Sequence, residues 1–175
     1  MTKSPWKKID KRRKMVYDIK RKNVSIFLPL FYCLEVNKMQ MITVVTGNLE
    51  ENCHMVFDEE KNAVVIDPGD DAKAMIKAIQ KHSLSVKIIV LTHGHYDHVG
   101  AVNELKEYTG AMVVAHEEER ELIKNPNLSL SMYFDPVFPI PEVDSYVKEG
   151  DIVSAGRLSL RVIHTPGHTQ GSMCL

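Results

Sequence analysis

A chain of 175 residues that is 44% hydrophobic and 26% charged has the composition of an ordinary globular protein and is long enough for a single buried core. Its three cysteines, Cys33, Cys53 and Cys174, make no even set, which excludes a disulfide scaffold and points to a reducing, cytoplasmic setting. The net charge of −1 conceals a division: residues 1–38 carry eleven Lys and Arg against three acids, a net of +8, leaving eleven basic and twenty acidic residues, a net of −9, for 39–175.

The basic front contains Lys7-Lys8, Lys11 to Lys14 and Lys20 to Lys22, followed by an apolar run from Val24 to Leu34. That order is also found in secretory signals. Here the basic portion is long, Pro29 interrupts the apolar run, and Glu35-Val36-Asn37 offers no small-residue cleavage site. The run is shorter than the roughly 20 apolar residues a bilayer requires, so no membrane span is expected. Residues 1–38 therefore read as a disordered extension, or as sequence ahead of a natural start at Met39 or Met41. A targeting segment and an interaction arm are the alternatives. Residues 39–175 form the folded body.

Along the body, Met41 to Val45, Cys53 to Phe57 and Ala63 to Ile66 are strand-like and separated by turn signals at Gly47-Asn48 and Asp58 to Asn62, which predicts a β-meander. Asp70 or Asp71 caps a helix whose apolar stripe is Ala74, Met75, Ala78 and Ile79, running to about His82. Ile88 to Leu91 is a buried strand. A helix is expected over Val99 to Tyr108 with Val102 and Leu105 inward and Gly110 closing it, then a strand over Ala111 to Ala115. A surface helix over His116 to Ile123 presents its glutamates to solvent near the helix start. Asn125 to Pro141 reads as a loop in which Tyr133, Phe134 and Phe138 either line a pocket or pin the loop down. Strands return at Asp144 to Val147, Asp151 to Val153 and Leu158 to Ile163, and a last one starts at Ser172 to Leu175, with Cys174 expected as a small buried hydrophobe.

The run that carries chemistry is Thr92-His93-Gly94-His95-Tyr96-Asp97-His98-Val99-Gly100, with four metal-capable side chains, His93, His95, Asp97 and His98, inside six residues. One such histidine would be read as a core residue or a cap. Four at this spacing require a metal. Imidazoles with a carboxylate suit zinc, with iron or manganese as substitutes. A further histidine, His168, stands in Thr165-Pro166-Gly167-His168-Thr169, while His54, His82, His116 and His164 read as surface or cap residues.

The H-x-H-x-D-H run, the Pro-Gly-His-Thr element, Asn52-Cys53 before an apolar strand and Val65-Ile66-Asp67-Pro68-Gly69 together resemble the metallo-β-lactamase-fold hydrolases. Within them the chain is most similar to the glyoxalase II branch and related thioester hydrolases, over about Met39 to Leu175. The resemblance implies an α+β fold, the αββα sandwich of that family, of which this chain would hold the N-terminal half to two-thirds. In the family a bridging Asp and a last His lie beyond the strand that starts at Ser172. It further implies that His93, His95 and His168 hold one zinc and that Asp97, the catalytic carboxylate, begins a second site with His98. A complete member holds two zincs, and this chain is expected to hold at most one tightly. Asp67 would orient ligands from behind without binding metal, although an Asp beginning an Asp-Pro-Gly turn accounts for it equally.

Three imidazoles leave a fourth zinc position for water, whose pKa falls toward about 7. The function expected is hydrolysis of a small thioester or ester by that hydroxide. The alternatives are an inactive or metal-binding fragment, a phosphodiesterase or nuclease, and a β-lactamase. The net charge of −9 on the body argues against a nucleic-acid substrate. Leu158 to Ile163 and Ser172 to Leu175 would leave an exposed sheet edge open to self-association.

Overall fold

The computed structural model describes residues 39–133 and 140–175. The basic extension, Phe134 and Phe138 lie outside the described residues. Strands β1 (Gln40–Thr46), β2 (Glu51–Phe57) and β3 (Asn62–Ile66) form the expected meander, and β4 (Ser85–Leu91), β5 (Met112–His116) and β6 (Ser145–Val147) add to it in parallel. The result is a six-stranded sheet in sequence order. Parallel neighbours require crossovers, which helices α1 (Ala72–His82) and α3 (Val102–Thr109) supply.

The central strands are apolar on both faces because both are covered. Successive residues divide between two cores: Val65, Ile89, Leu91 and Val113 face α1 and α3 through Met75, Ile79, Val102 and Leu105. Val64, Ile88, Val90 and Val114 point the other way, onto Val153, Ala155, Leu158, Val162 and Met173. Those last residues belong to a second layer of strands, the hairpin β7 (Ile152–Ala155) with β8 (Leu158–Arg161), the segment after it, and the short pair β9 (Ile163–His164) with β10 (Met173–Cys174). Helix, sheet and sheet are thus stacked in order, and each fully buried Leu, Ile or Met adds roughly 1.5–3 kcal/mol. By comparison the exposed Lys106–Asp144 pair at 2.8 Å, which joins α3 to the segment before β6, belongs to a class worth about 0–1 kcal/mol.

Helix α1 starts where Asp71, in a left-handed conformation, accepts a hydrogen bond from the Ala74 amide at 3.1 Å. It ends at Ser83, also left-handed, in a turn glycine would usually make. The two sheets are joined at Asp58, whose carboxylate accepts from the Asn62 amide and side chain and from the Arg157 amide across 99 residues. Burial works against that charge, but these hydrogen bonds, with a further one from the Glu60 backbone, hold its pKa below the usual carboxylate range. Gly156 makes this junction reachable, because it adopts φ +58° and a Cβ there would lie 2.2 Å from the Asn62 side-chain Nδ2.

Three expectations are corrected. The helix anticipated over Val99 to Tyr108 is two elements, α2 (Tyr96–Val99) and α3, because Ala101 breaks the helical backbone between them and donates to the Pro68 carbonyl instead. The glutamate-rich segment is a 3-10 turn (Glu117–Glu119) leading into α4 (Arg120–Lys124), and Glu119 is fully buried rather than solvated. Cys174 is exposed, since β10 turns its neighbour Met173 inward. Tyr133 is also largely exposed, which favours neither of its two readings.

Candidate metal centre

The His-rich run begins at the C-terminal end of β4, where the buried Leu91 ends the strand and Thr92 turns the chain out. Crevices at such strand ends are where ligands bind in open α/β sheets. Asp67, one residue after β3 in the adjacent strand, sets the turn: its Oδ1 accepts from the Thr92 amide at 2.7 Å and its Oδ2 from the Thr92 hydroxyl at 2.5 Å. Asp67 holds φ at +52°, uncommon for a residue with a side chain and concentrated at functional sites. Of its two sequence readings, the ligand-orienting one has direct contacts, because Oδ2 also meets His98 Nδ1 at 3.1 Å.

The second loop arrives from the other sheet. Met173 donates to the Thr92 carbonyl at 3.0 Å, so β10 docks on the start of the His-rich loop, and Thr165 donates to Ser172 across the Pro-Gly-His turn. This places His168 against residues 73 positions earlier: its Nε2 lies 2.9 Å from His95 Nδ1. The His93 ring stands edge-on to both, with centroids 4.9 Å from His95 and 4.8 Å from His168. The ligand atoms of these three histidines lie within 4.8 Å of one another, one ring buried, one half-buried and one exposed.

Three imidazoles this close are costly if protonated. Burial, then the neighbouring His98, His95 and His168, push His93 down to about 3, and burial together with His168 lowers His95. Both are therefore neutral at pH 7, the form that donates a lone pair to a metal. His93 Nε2 is buried without a hydrogen-bond partner, a costly state that a metal ion would resolve. The donor set fits zinc or a similar borderline metal.

Asp97 and His98, expected at a second position, lie side by side, and the geometry adds a residue the sequence analysis missed. His98 Nε2 lies 3.4 Å from Glu51 Oε2 and 3.6 Å from Asp97 Oδ2, so Glu51, the first residue of β2, brings a third side chain here. Burial opposes charge on His98, but the hydrogen bond and charge of Asp67, with Glu51 and Asp97, raise its pKa above the ordinary value. Glu51 lacked a signal because it stands in a turn-like Leu-Glu-Glu-Asn run far from any histidine motif. His116 and His164 stay outside the constellation: their rings stack at 4.0 Å, and His116 caps the 3-10 turn by accepting from the Glu118 amide.

Beside His168 a cleft of about 480 Å³ opens between Leu122, Leu128 and the Pro166–Gln170 loop, with Glu118 and Glu121 on its wall. That volume is within the range of small-molecule sites.

Residues 46–175 match the metallo-beta-lactamase superfamily. The chain is 33% identical over 128 residues to the hydroxyacylglutathione hydrolase GloC of Haemophilus influenzae, covering 70% of this chain and 58% of that protein. It is 35% identical over 138 residues to the hydroxyacylglutathione hydrolase of Pelagibacter ubique, covering 78% and 49%. Among solved structures it is similar to the BLEG-1 B3 metallo-beta-lactamase, with a TM-score of 0.71 at 29% identity over 77% of this chain and 65% of that one. It is also similar to TTHA1623 in a di-iron-bound form, with a TM-score of 0.64 at 33% identity over 75% and 64%. The chain thus spans about half to two-thirds of the proteins it matches. The family match over residues 46–175, on a fold similar to solved structures of that kind, shows that this chain belongs to the metallo-beta-lactamase superfamily.

Proposed function

We propose that this chain carries the metal-binding part of a zinc-dependent hydrolase acting on a small thioester or ester. The observation that supports it most is the convergence of His93, His95 and His168, two of them held neutral, around the unpartnered His93 Nε2. A bound zinc supplies an acidified water and polarises the substrate carbonyl. The residues do the rest. His93, His95 and His168 would hold the ion, Asp97 would orient the water that attacks, and Asp67 fixes His98 through its Nδ1. Leu122 and Leu128 offer an apolar wall for an acyl group, while Glu118, Glu121 and the body's net charge of −9 disfavour a phosphodiester. Similarity to two hydroxyacylglutathione hydrolases favours a thioester over a β-lactam. One zinc is held tightly, at the three-histidine position, and iron is the substitute that the di-iron relative suggests. Residues 1–38 are an extension outside this unit.

The test is metal content after dialysis together with hydrolysis of a generic thioester by the zinc-loaded chain, run beside His93→Ala. Uptake of one zinc and weak thioester turnover, both lost in the variant, are expected. Zinc-loaded protein that cleaves β-lactams or phosphodiesters in preference to thioesters would overturn the reading.

A further inference from the structure

We infer that Glu119 is the positioning residue that clamps the two ligand-bearing loops together and so sets the distance between His168 and the His93–His95 pair. The inference rests on the metal-centre reading above, though the clamp itself is a property of the protein alone. Glu119 is 0% exposed. Its Oε2 accepts from the Gly94 amide at 2.7 Å, between His93 and His95, and its Oε1 accepts from the Gly171 amide at 2.7 Å, three residues after His168. One carboxylate is thus split between the two loops, with each oxygen on a different one.

Burying a carboxylate is costly unless its oxygens are hydrogen-bonded, so an apolar residue would serve a purely packing role better here. Both amides it captures belong to glycines that no other residue replaces without movement. A Cβ at Gly94 would lie 2.5 Å from Ile123 Cγ1 and 2.8 Å from Leu122 Cδ2, and one at Gly171 would lie 2.7 Å from both Glu119 Cγ and the Glu119 backbone nitrogen. The two loops therefore sit directly on the Glu119–Ile123 segment, and the 2.9 Å approach of His95 to His168 occurs between the two clamped points.

Glutamine keeps the size of the side chain but has one oxygen for two N–H donors, and its NH2 would face the second amide. Glu119→Gln should therefore release one loop and leave the packing in place. The test measures zinc affinity of the full chain by chelator competition, and amide hydrogen exchange in the zinc-free protein, for wild type, Glu119→Gln and Gly171→Ala. The expected result is about 10- to 100-fold weaker zinc binding in both variants. Exchange should quicken at Gly94 or Gly171 in Glu119→Gln while the amides of Val64 and Val65 in β3 stay protected. A packing residue would instead lower protection across the whole sheet. Wild-type affinity and wild-type protection of both glycines in Glu119→Gln would overturn the inference. If wild type takes up no zinc, the metal-centre reading fails, and the exchange pattern still decides whether Glu119 is the clamp.

Discussion

His95 Nδ1 and His168 Nε2 lie 2.9 Å apart although 73 residues separate them, and no sheet hydrogen bond joins their own backbones. Their meeting depends on docking: β10 on Thr92 through one backbone bond, and both loops on Glu119. Replacing His168 with alanine should leave this scaffold folded, because His168 is exposed, yet reduce three imidazoles to two. Zinc affinity should fall at least about 10- to 100-fold. His54→Ala, whose ring bonds Thr43 on the neighbouring strand away from the three histidines, serves as the control and should bind zinc as wild type does.

Asp67→Asn tests the carboxylate behind the site. Asparagine tolerates the left-handed backbone at this position, so the turn should survive. Its oxygen can still accept from the Thr92 amide, but an NH2 replaces the oxygen that faces His98 Nδ1. That side chain favours the His98 tautomer with its proton on Nε2, the atom directed at Glu51 and Asp97. The expected outcomes are a lower His98 pKa by imidazole NMR in the metal-free protein and weaker cobalt binding at the Asp97–His98 position.

The strands, the first helix and the metal-binding run were legible because each has local causes. Alternation or continuous apolarity marks β2 to β5, Asp71 caps α1, and four metal-capable side chains in six residues point to the site. What escaped depends on distant partners. Glu119 resembles its exposed neighbours Glu117 and Glu118 in chemistry, and only its position four before the buried Ile123 placed it on the inward face. Glu51 became part of the site because Gly69 lets β2 close on the Asp97 loop. The division of the helix at Ala101 follows from a backbone bond to Pro68, which no pattern within residues 96–109 encodes.

Acid should destabilise the metal-free protein. The folded-state pKa values of His93, His95 and His116 are lowered, His93 to about 3, so the unfolded chain takes up protons near the ordinary histidine value of about 6.5 that the folded chain refuses. Stability present above about 6.5 is therefore lost as pH falls toward 3. His98 acts oppositely, since its raised pKa gives stability at low pH that is lost as pH rises through the folded value. The three lowered groups outweigh it. Thermal melts in chelator should show a lower Tm at pH 5 than at pH 7.5, and excess zinc at pH 7.5 should widen the gap because protons compete for the same nitrogens.

Trimming residues 1–38 should change neither the melting temperature nor the bound zinc. The division of charge between residues 1–38, net +8, and the body, net −9, motivates this. A start at Met39 that lowered either quantity would make the basic segment part of the folded unit.

Gly69→Ala should damage the fold and the second metal position together. A Cβ at Gly69 would stand 1.8 Å from the Asp97 carbonyl oxygen and 2.9 Å from its carbon, with Glu51 Cγ at 3.3 Å. The obstruction is backbone, so no change of rotamer relieves it and the Asp97 loop must move away from β3. Overpacking of this kind typically costs about 1–3 kcal/mol, and at about 2–4 °C per kcal/mol for a chain of this size the melting temperature should fall by several degrees. The displacement acts on Asp97 and Glu51 but not on the bonds of the Gly94 and Gly171 amides to Glu119 or of the Met173 amide to Thr92, which hold the loops of His93, His95 and His168. Cobalt titration should therefore show the three-histidine position retained and the Asp97–His98–Glu51 position weakened, whereas equal loss at both would mean that the two positions move as one rigid unit.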